Sequence, residues 1–394
     1  MNFSDRLLRM KPSATRATAD KAAQLKSEGK RILSFTVGEP DFPSPKAAND
    51  AAIEAIHRGE SHYTGTGGNK ELKNAIIAYY KERHNVTYTP KEILAGSGAK
   101  PLIYEAFGAL VNPGSEVIIP TPAWVSYVEQ VDVFDGKSVL VDTMDSQFLP
   151  SLEAIERAIT PKTTAIIVNT PQNPTGVVYS RELLAGLCRL AMKHKIMLIN
   201  DEIYECLTYG VRHVNPLADA PETRDFVLSI NGASKAFAMT GWRLGFAMGP
   251  APLIDKMSTL QGHITSCPSS ISQWATIGAL QGAQDDVEAM RLEYEKRMEF
   301  AYSELASMPH IRVAKPQGAF YFFIDVRPSY GKKAGTSVIT DDQNFCSALL
   351  DAGVALVPGV AFMSPGFARL SYACSMETIR EGLGMMRSFL ESLQ

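Results

Sequence analysis

One segment of the chain sets a lysine among small residues directly after a candidate strand: Ser229-Ile230-Asn231-Gly232-Ala233-Ser234-Lys235-Ala236-Phe237-Ala238-Met239-Thr240-Gly241-Trp242-Arg243-Leu244-Gly245. A long charged side chain such as Lys235 contributes little to packing there. Burial or cationic neighbours favour the neutral amine, and a neutral amine forms a Schiff base with an aldehyde. Arg243 suits a phosphate, because its planar guanidinium donates two hydrogen bonds to one group. An aldehyde that carries a phosphate is pyridoxal phosphate, and the segment therefore predicts that cofactor.

Further apolar runs on both sides of this segment read as strands. They lie at residues 116–119, 138–141, 164–168, 196–200, 226–230 and 244–248. Several are apolar throughout rather than alternating, which is typical of a parallel sheet buried on both faces. Helical patterns lie before and between them, at residues 46–58, 69–84, 100–111, 151–158 and 181–194. Residues 46–290 are therefore predicted to form a large α/β domain, with a mostly parallel central sheet flanked by helices.

The pattern changes after residue 290. A charged amphipathic run at residues 285–308 predicts a long helix that links two domains. Strands are then predicted at 319–324, 354–357 and 368–372, with helices at 342–352 and 376–393. Residues 291–394 are expected to form a smaller α+β domain, and residues 1–45 an N-terminal arm and part of that domain. A length of 394 residues suits two cores better than one.

Composition excludes several classes of protein. The hydrophobic content of 45% and charged content of 21% are those of a soluble globular protein. A net charge of -3 gives no reason to expect nucleic acid or an anionic membrane as a partner. The cysteines are scattered, which fits reduced thiols in the cytoplasm better than disulfides or a metal site. Basic residues near the start (Arg6, Arg9 and Lys11) are compatible with a targeting peptide, but an arm that packs on the protein is the preferred interpretation.

Polar residues follow several of the predicted strands, at the edge where open α/β sheets bind ligands. Asp201 and Tyr204 follow one strand, and Asn173 lies after the preceding one. Gly98-Ala99-Lys100 precedes a helix, whose free N–H groups and dipole can hold a phosphate. Each feature alone has a simpler interpretation, since the aspartate suits a helix cap and Asn-Pro-Thr-Gly an ordinary turn. Together with Lys235 they favour a single cofactor site.

In these motifs and several others the chain resembles the class I aminotransferases of pyridoxal-phosphate fold type I. Among them it is most similar to the bacterial aspartate aminotransferases, some of which also act on prephenate. The resemblance extends over nearly the whole chain. It is carried by Lys11-Pro12-Ser13-Ala14-Thr15, Gly38-Glu39-Pro40-Asp41-Phe42, Pro122-Ala123-Trp124-Val125-Ser126-Tyr127, Asn173-Pro174-Thr175-Gly176, Asp201-Glu202-Ile203-Tyr204, Ser234 to Arg243, and Arg369-Leu370-Ser371-Tyr372-Ala373.

The resemblance implies roles around the cofactor ring. Lys235 is expected to hold pyridoxal phosphate in a Schiff base and to move the proton during catalysis. Asp201 is expected to pair with the ring nitrogen and keep it protonated. Tyr204 and Asn173 are expected to donate hydrogen bonds to the phenolic oxygen of the ring. Trp124 is expected to stack on the ring face, and Trp124 and Asn173 also to border the substrate.

The phosphate and the substrate have further expected partners. By the same resemblance, Arg243, the helix start Gly98-Ala99-Lys100 and Tyr63 bind the phosphate, with Tyr63 supplied by a second subunit. A homodimer with shared active sites follows from that role. Arg369 and Gly38 are expected to bind the substrate α-carboxylate.

The resemblance also bears on the choice of substrate. Lys100 is expected to contact the distal carboxylate of a dicarboxylic substrate. Lys11 matches a position associated with prephenate, although a solvated charge on an arm explains this lysine equally well. Gly232 stands where many relatives have a phosphate-binding serine, and the aspartate-type subgroup shares that glycine.

The function expected on these grounds is amino-group transfer between aspartate or glutamate and a 2-oxo acid by a ping-pong mechanism, with prephenate as a further acceptor. Two alternatives on the same scaffold stay open: an aromatic or kynurenine-type aminotransferase, and a pyridoxal-phosphate C–S lyase. A cofactor-binding regulator is disfavoured, because such proteins usually carry a fused DNA-binding domain and this sequence has neither the extra length for one nor a basic patch.

Overall fold

The computed structural model of the protein describes residues 1–10 and 14–394, so Lys11 lies outside the described residues. The helices are α1 Asp5–Arg9, α2 Ala14–Ser27, α3 Lys46–His57, α4 Lys70–His84, α5 Ala99–Leu110, α6 Ser126–Val133, α7 Leu152–Ala158, α8 Arg181–His194, α9 Ala233–Ala236, α10 Ala251–Ile264, α11 Ser270–Gly282, α12 Gln284–Ala306, α13 Asp342–Asp351 and α14 Met376–Glu391. The strands are β1 Leu33–Ser34, β2 Ile93–Gly96, β3 Glu116–Thr121, β4 Lys137–Asp142, β5 Thr163–Asn169, β6 Met197–Asp201, β7 Val227–Gly232, β8 Gly245–Met248, β9 Arg312–Val313, β10 Tyr321–Asp325, β11 Lys333–Ala334, β12 Ser337–Val338, β13 Val354–Ala355, β14 Val357–Pro358 and β15 Phe367–Ser371.

The largest sheet has seven strands in the order β2-β8-β7-β6-β5-β3-β4. Five adjacent strands of this sheet, β4, β3, β5, β6 and β7, pair in parallel. Strand β8 is antiparallel to both of its neighbours, β7 and β2. This confirms an α/β fold with a mostly parallel sheet. Because β8 is reversed, its first residue, Gly245, pairs with Gly232 at the carboxyl end of β7. Residues just before β8 therefore lie at the same edge of the sheet as residues just after β7.

The central strands are apolar throughout because helices cover both faces of the sheet. In β5, Ile166 and Val168 belong to the core under α4 and α8, while Ala165 and Ile167 face the core under α5 and α10. Successive side chains of a strand point to opposite faces, so each face buries alternate residues. Burial of each such side chain stabilises the fold by roughly 1.5–3 kcal/mol. The packed core therefore fixes the positions of the strand ends.

A second, antiparallel sheet has the order β14-β15-β10-β9. Its core includes Phe322 and Leu370 and also side chains of α12 and α14, among them Met298 and Met386. The N-terminal part of the chain reaches the same region, because β1 pairs in parallel with β13, and Ala22 of α2 packs in a small cluster with Ala355 and its neighbours. Domain boundaries at residues 45/46 and 290/291 stay a prediction. Among the helices in the described residues, none is both long and apolar enough to cross a membrane.

Candidate active site

A cavity of about 690 Å³ opens at the carboxyl edge of the large sheet, between that sheet and β10 and β15. The fold brings most of the predicted site residues to its wall. These are Gly38, Ala99, Lys100, Trp124, Asn173, Asp201, Tyr204, Lys235, Arg243 and Arg369. Residues of α2 also line the cavity, so the N-terminal helix borders the site.

Two of the predicted residues that the structure describes, Gly98 and Tyr63, are not on that wall. Gly98 lies one step behind it, against the guanidinium of Arg243. Tyr63 has 88% of its surface exposed and lines a separate surface pocket beside Cys267. Its own chain does not bring Tyr63 to the cavity, so its predicted role depends on a second copy of the chain. Lys11 is outside the described residues, and its role stays a prediction.

Lys235 lies on the short helix α9, which starts directly after β7. Its Nζ atom donates a hydrogen bond of 2.5 Å to the backbone carbonyl of Gly38. Burial lowers the pKa of the Lys235 ammonium to about 8; the charge of Glu39 opposes this shift, and nearby cations, first among them Arg369, add to it. An amine with such a pKa loses its proton readily near neutral pH, as a Schiff-base nucleophile requires.

Asp201 is the last residue of β6 and is almost fully buried. One carboxylate oxygen accepts a hydrogen bond of 2.6 Å from the Tyr127 hydroxyl, and the other accepts one of 3.2 Å from the N–H of Ile203. Burial raises the pKa of Asp201 to about 6, although both hydrogen bonds act against the rise. A buried carboxylate of this kind is stabilised by a cation, such as a protonated ring nitrogen.

Arg369 lies in the middle of β15 and is also buried. Its terminal nitrogens donate to the Asn173 side-chain oxygen at 3.0 Å and to the carbonyl of Thr36 at 2.6 Å. Its Nε atom is buried without a hydrogen-bond partner, and no carboxylate in the described part of the chain pairs with it. Burial lowers the pKa of the Arg369 guanidinium. A buried cation with a spare donor needs an anion, so this arginine is suited to a carboxylate ligand.

One part of the cavity is suited to bind an anion, and it is formed by Arg243 and the first turn of α5, with Gly98 behind them. Gly98 caps α5 with φ +103° and ψ 164°, a conformation open almost only to glycine. A Cβ atom at this position would lie 2.4 Å from Nη2 of Arg243. Gly245 permits the close approach of β8, because a Cβ there would lie 2.4 Å from the backbone nitrogen of Ala99. Free N–H groups and the positive end of the helix dipole thus adjoin the Arg243 guanidinium, which donates to the backbone carbonyls of Thr240 and Ser97.

Aromatic and hydroxyl groups complete the wall. The hydroxyls of Tyr204 and Tyr321 lie 2.8 Å apart, and burial raises the pKa of Tyr204 well above its usual range. The Lys100 ammonium lies 4.7 Å from the centre of the Trp124 ring, and its pKa is lowered by burial and then by the charge of Arg243. Lys100 is exposed at the rim, where its charge faces incoming ligands.

These residues fit pyridoxal phosphate. The cavity volume is in the range of small-molecule sites, about 300–1,000 Å³. Arg243 and the start of α5 suit the phosphate, the buried carboxylate of Asp201 suits the ring nitrogen, and the amine of Lys235 suits the aldehyde. In residues 1–10 and 14–394, no group of three or more His, Cys, Asp or Glu side chains is arranged to hold a metal ion.

Sequence analysis left several contributors unassigned. Tyr127 lies within a motif that carried the resemblance, yet only the structure reveals its bond to Asp201. Tyr321 was part of a predicted strand without a role, and Thr36 contributes only a backbone carbonyl. The sequence signal that could have found Tyr127 is a hydroxyl three residues after Trp124, in the first turn of α6.

Comparison with known proteins identifies the family. The family described as aminotransferase class I and II matches residues 30–385. An aspartate aminotransferase of Bacillus sp. (strain YM-2) is 41% identical, over 99% of both chains. An aspartate/prephenate aminotransferase of Thermus thermophilus is 40% identical, over 97% of both chains. The solved structure of a Thermus thermophilus aspartate aminotransferase with maleate superposes with a TM-score of 0.93 at 38% identity, covering 99% of this chain and 100% of that one. The resemblance drawn from the sequence motifs is thus confirmed, and the chain belongs to the class I and II aminotransferase family.

Proposed function

We propose that the protein is a pyridoxal-phosphate-dependent aminotransferase that moves an amino group between aspartate or glutamate and a 2-oxo acid such as 2-oxoglutarate or oxaloacetate. The observation that carries this proposal is a pair of pKa shifts in opposite directions within one cavity. The pKa of the Lys235 amine is lowered to about 8, and the pKa of the Asp201 carboxyl is raised to about 6. Perturbed titratable groups that share a cleft are typical of functional sites.

The residues divide the chemistry between them. Pyridoxal phosphate, when bound, supplies the electron sink that stabilises a carbanion at the substrate Cα. Lys235 is the base and acid that removes and returns the proton at that atom, for which its lowered pKa is suited. Asp201 holds a proton at the ring nitrogen, and Tyr127 orients Asp201 by its hydrogen bond of 2.6 Å. Tyr204 and Asn173 donate to the ring oxygen in this proposal, which is supported by the position of both residues on the cavity wall.

Two cations support a dicarboxylic substrate. Arg369 has an unpartnered Nε donor in a buried site, which favours the substrate α-carboxylate. Lys100 lies at the rim and is free to contact a distal carboxylate. The solved Thermus thermophilus relative was obtained with maleate, a dicarboxylate, and another relative from that organism is named for aspartate and prephenate. Prephenate is therefore a second proposed substrate, to which Lys11 would contribute.

A homodimer with shared active sites accounts for the exposed residues near α3. Tyr63, proposed to reach the phosphate in the other subunit, is 88% exposed, and the apolar side chains of Ile53 and Ile56 on α3 are 53% and 59% exposed. Large exposed apolar side chains close together suit a protein interface. A cytoplasmic location is proposed as well, because all five cysteines, each within the described residues, are free thiols.

The test is a panel of amino donors and 2-oxo acceptors with the purified holoenzyme. Aspartate and glutamate should convert the cofactor to its amino form, and 2-oxoglutarate or oxaloacetate should regenerate it, as followed by absorbance. Release of a thiol or ammonia in place of amino transfer would favour the C–S lyase alternative. Efficient turnover of aromatic donors alone would favour the aromatic or kynurenine-type alternative.

Lys100→Ala tests the choice of substrate. Loss of a charge-assisted contact of about 1.5–3 kcal/mol predicts a fall of roughly 10- to 100-fold in kcat/KM for aspartate and glutamate, with little change for alanine or phenylalanine. Lys162→Ala is the matched control, because Lys162 is exposed and precedes β5 at the opposite edge of the sheet. An equal loss for all donors would show that Lys100 does not bind the distal carboxylate.

A further inference from the structure

A second buried carboxylate, that of Glu202, follows Asp201 in the chain. Glu202 has no exposed surface, and its oxygens accept hydrogen bonds from the Tyr80 hydroxyl at 2.7 Å and from the amides of Asn200 at 3.0 Å and Asn215 at 3.1 Å. Nε2 of His213 lies 3.0 Å away. The hydroxyl and amide partners are donors, which is the pattern that an ionised carboxylate requires. The mechanism described above does not use this group.

Among the described residues, no lysine or arginine forms an ion pair with Glu202. Arg83 pairs instead with Glu205 at 2.7 Å, and His84 lies 3.1 Å from the same Glu205 carboxylate. Tyr79 also donates to Glu205. Among the described residues, two titratable groups form hydrogen bonds with Glu202, and they are Tyr80 and His213. Arg83 is thus paired with Glu205 rather than with Glu202, whose hydrogen-bond partners are the Tyr80 hydroxyl, two side-chain amides and His213.

Glu202 is connected to Asp201 through the chain and to the turn before Lys235 through hydrogen bonds. It follows Asp201 in the chain, and its negative charge adds to the effect of burial in raising the pKa of Asp201. It also connects to the lysine turn. Tyr80, which donates to Glu202, accepts a hydrogen bond of 2.9 Å from Asn231, and the Asn231 side chain accepts one of 2.8 Å from the N–H of Gly232. Gly232 caps the helix that carries Lys235.

We propose that Glu202 is a positioning residue whose buried negative charge acts through Asp201 to hold a proton at the cofactor's ring nitrogen. A cation bound to Asp201 is attracted by both carboxylates, and charge interactions within a protein interior are screened less than in water. The site therefore favours a protonated ring more strongly than Asp201 alone would. This inference rests on the proposed function, because it needs pyridoxal phosphate in the cavity.

The test compares two cofactors on the apoprotein. Pyridoxal phosphate is one probe, and its 1-deaza analogue, in which C–H replaces the ring nitrogen, is the other. In Glu202→Gln the charge is lost and the shape is kept. The affinity for pyridoxal phosphate should fall about tenfold, the equivalent of one pKa unit, while the affinity for the deaza analogue stays as in the wild type. The ¹⁵N NMR signal of the bound ring should shift towards that of the unprotonated nitrogen.

Tyr80→Phe is the matched control, because it breaks the connection to Asn231 and leaves the charge of Glu202 in place. It should leave the ratio of the two affinities unchanged. Equal losses for both cofactors in Glu202→Gln would show that Glu202 is only structural, and no loss for either would also overturn the proposal.

A second variant keeps the test decisive if Glu202→Gln does not fold. Glu202→Gln with Asn215→Asp exchanges amide and carboxylate across one hydrogen bond and so takes the charge off the residue that follows Asp201 in the chain. A partial loss of the preference for pyridoxal phosphate, about threefold, is expected, and a ratio equal to that of the wild type would contradict the proposal. Failure of the wild-type apoprotein to bind pyridoxal phosphate would instead refute the proposed function.

Discussion

Gly98→Ala should separate loss of cofactor binding from loss of stability. Gly98 has φ +103° and ψ 164°, and an alanine there is strained by about 1–3 kcal/mol. In addition, the new Cβ would lie 2.4 Å from Nη2 of Arg243, so the guanidinium must move. If Arg243 binds the cofactor phosphate, the loss of one charge-assisted interaction of about 1.5–3 kcal/mol predicts roughly 10- to 100-fold weaker binding of pyridoxal phosphate.

Gly114→Ala is the matched control for this prediction. Gly114 also has a positive φ of +81°, but nothing lies within 4 Å of a Cβ at that position. Urea unfolding should show a loss of stability in both apoproteins, because both substitutions strain the backbone. Titration of the apoproteins with pyridoxal phosphate should show weaker binding for Gly98→Ala alone. Equal dissociation constants for the two variants would refute the assignment of Arg243 and the start of α5 to the phosphate.

Two further substitutions probe Asp201 and its partner. Tyr127→Phe removes the hydroxyl that donates to Asp201 at 2.6 Å. The rate of the half-reaction with aspartate, measured by stopped-flow absorbance, should fall about tenfold. An unchanged rate would show that Tyr127 has no role in orienting Asp201. Asp201→Asn should make the apoprotein more stable above pH 6, because the folded carboxyl has a pKa of about 6 and its ionised form is disfavoured by burial. The gain in the free energy of unfolding, up to about 3 kcal/mol as measured by urea, should disappear as the pH falls below about 4, because the carboxyl is then protonated in both the folded and the unfolded state. A stability difference between variant and wild type that does not change with pH would contradict the raised pKa.

The parts of the site that sequence analysis located are those whose chemistry is local. Lys235, Asp201 and Asn173 each come just after an apolar run, and the carboxyl ends of parallel strands share one edge of a sheet. The apolar pattern of those runs therefore predicted both the strand and the position of the residue that follows it. Burial on both faces, visible as an unbroken apolar run, predicted the mostly parallel sheet.

Features that depend on distant parts of the chain were not predicted. Strand β8 is as apolar as its neighbours, and nothing in its residues reveals that it runs antiparallel; pairing with β2, about 150 residues earlier, fixes its direction. The four-residue strand β2 was itself missed, because so short an apolar run carries little periodicity. The bond between Tyr127 and Asp201 joins residues 74 positions apart. The predicted role of Tyr63 stays a prediction, because in the described chain this residue is exposed and lies away from the cavity.

The central claim is that Lys235 is the residue that binds pyridoxal phosphate covalently. Reduction of the holoenzyme with borohydride, followed by digestion and mass spectrometry of the peptides, locates the fixed cofactor directly. The adduct is predicted on Lys235, and Lys235→Ala should lose it together with the visible absorption band and nearly all turnover. An adduct on Lys100, the other lysine lining the cavity among the described residues, or no adduct at all, would contradict the account.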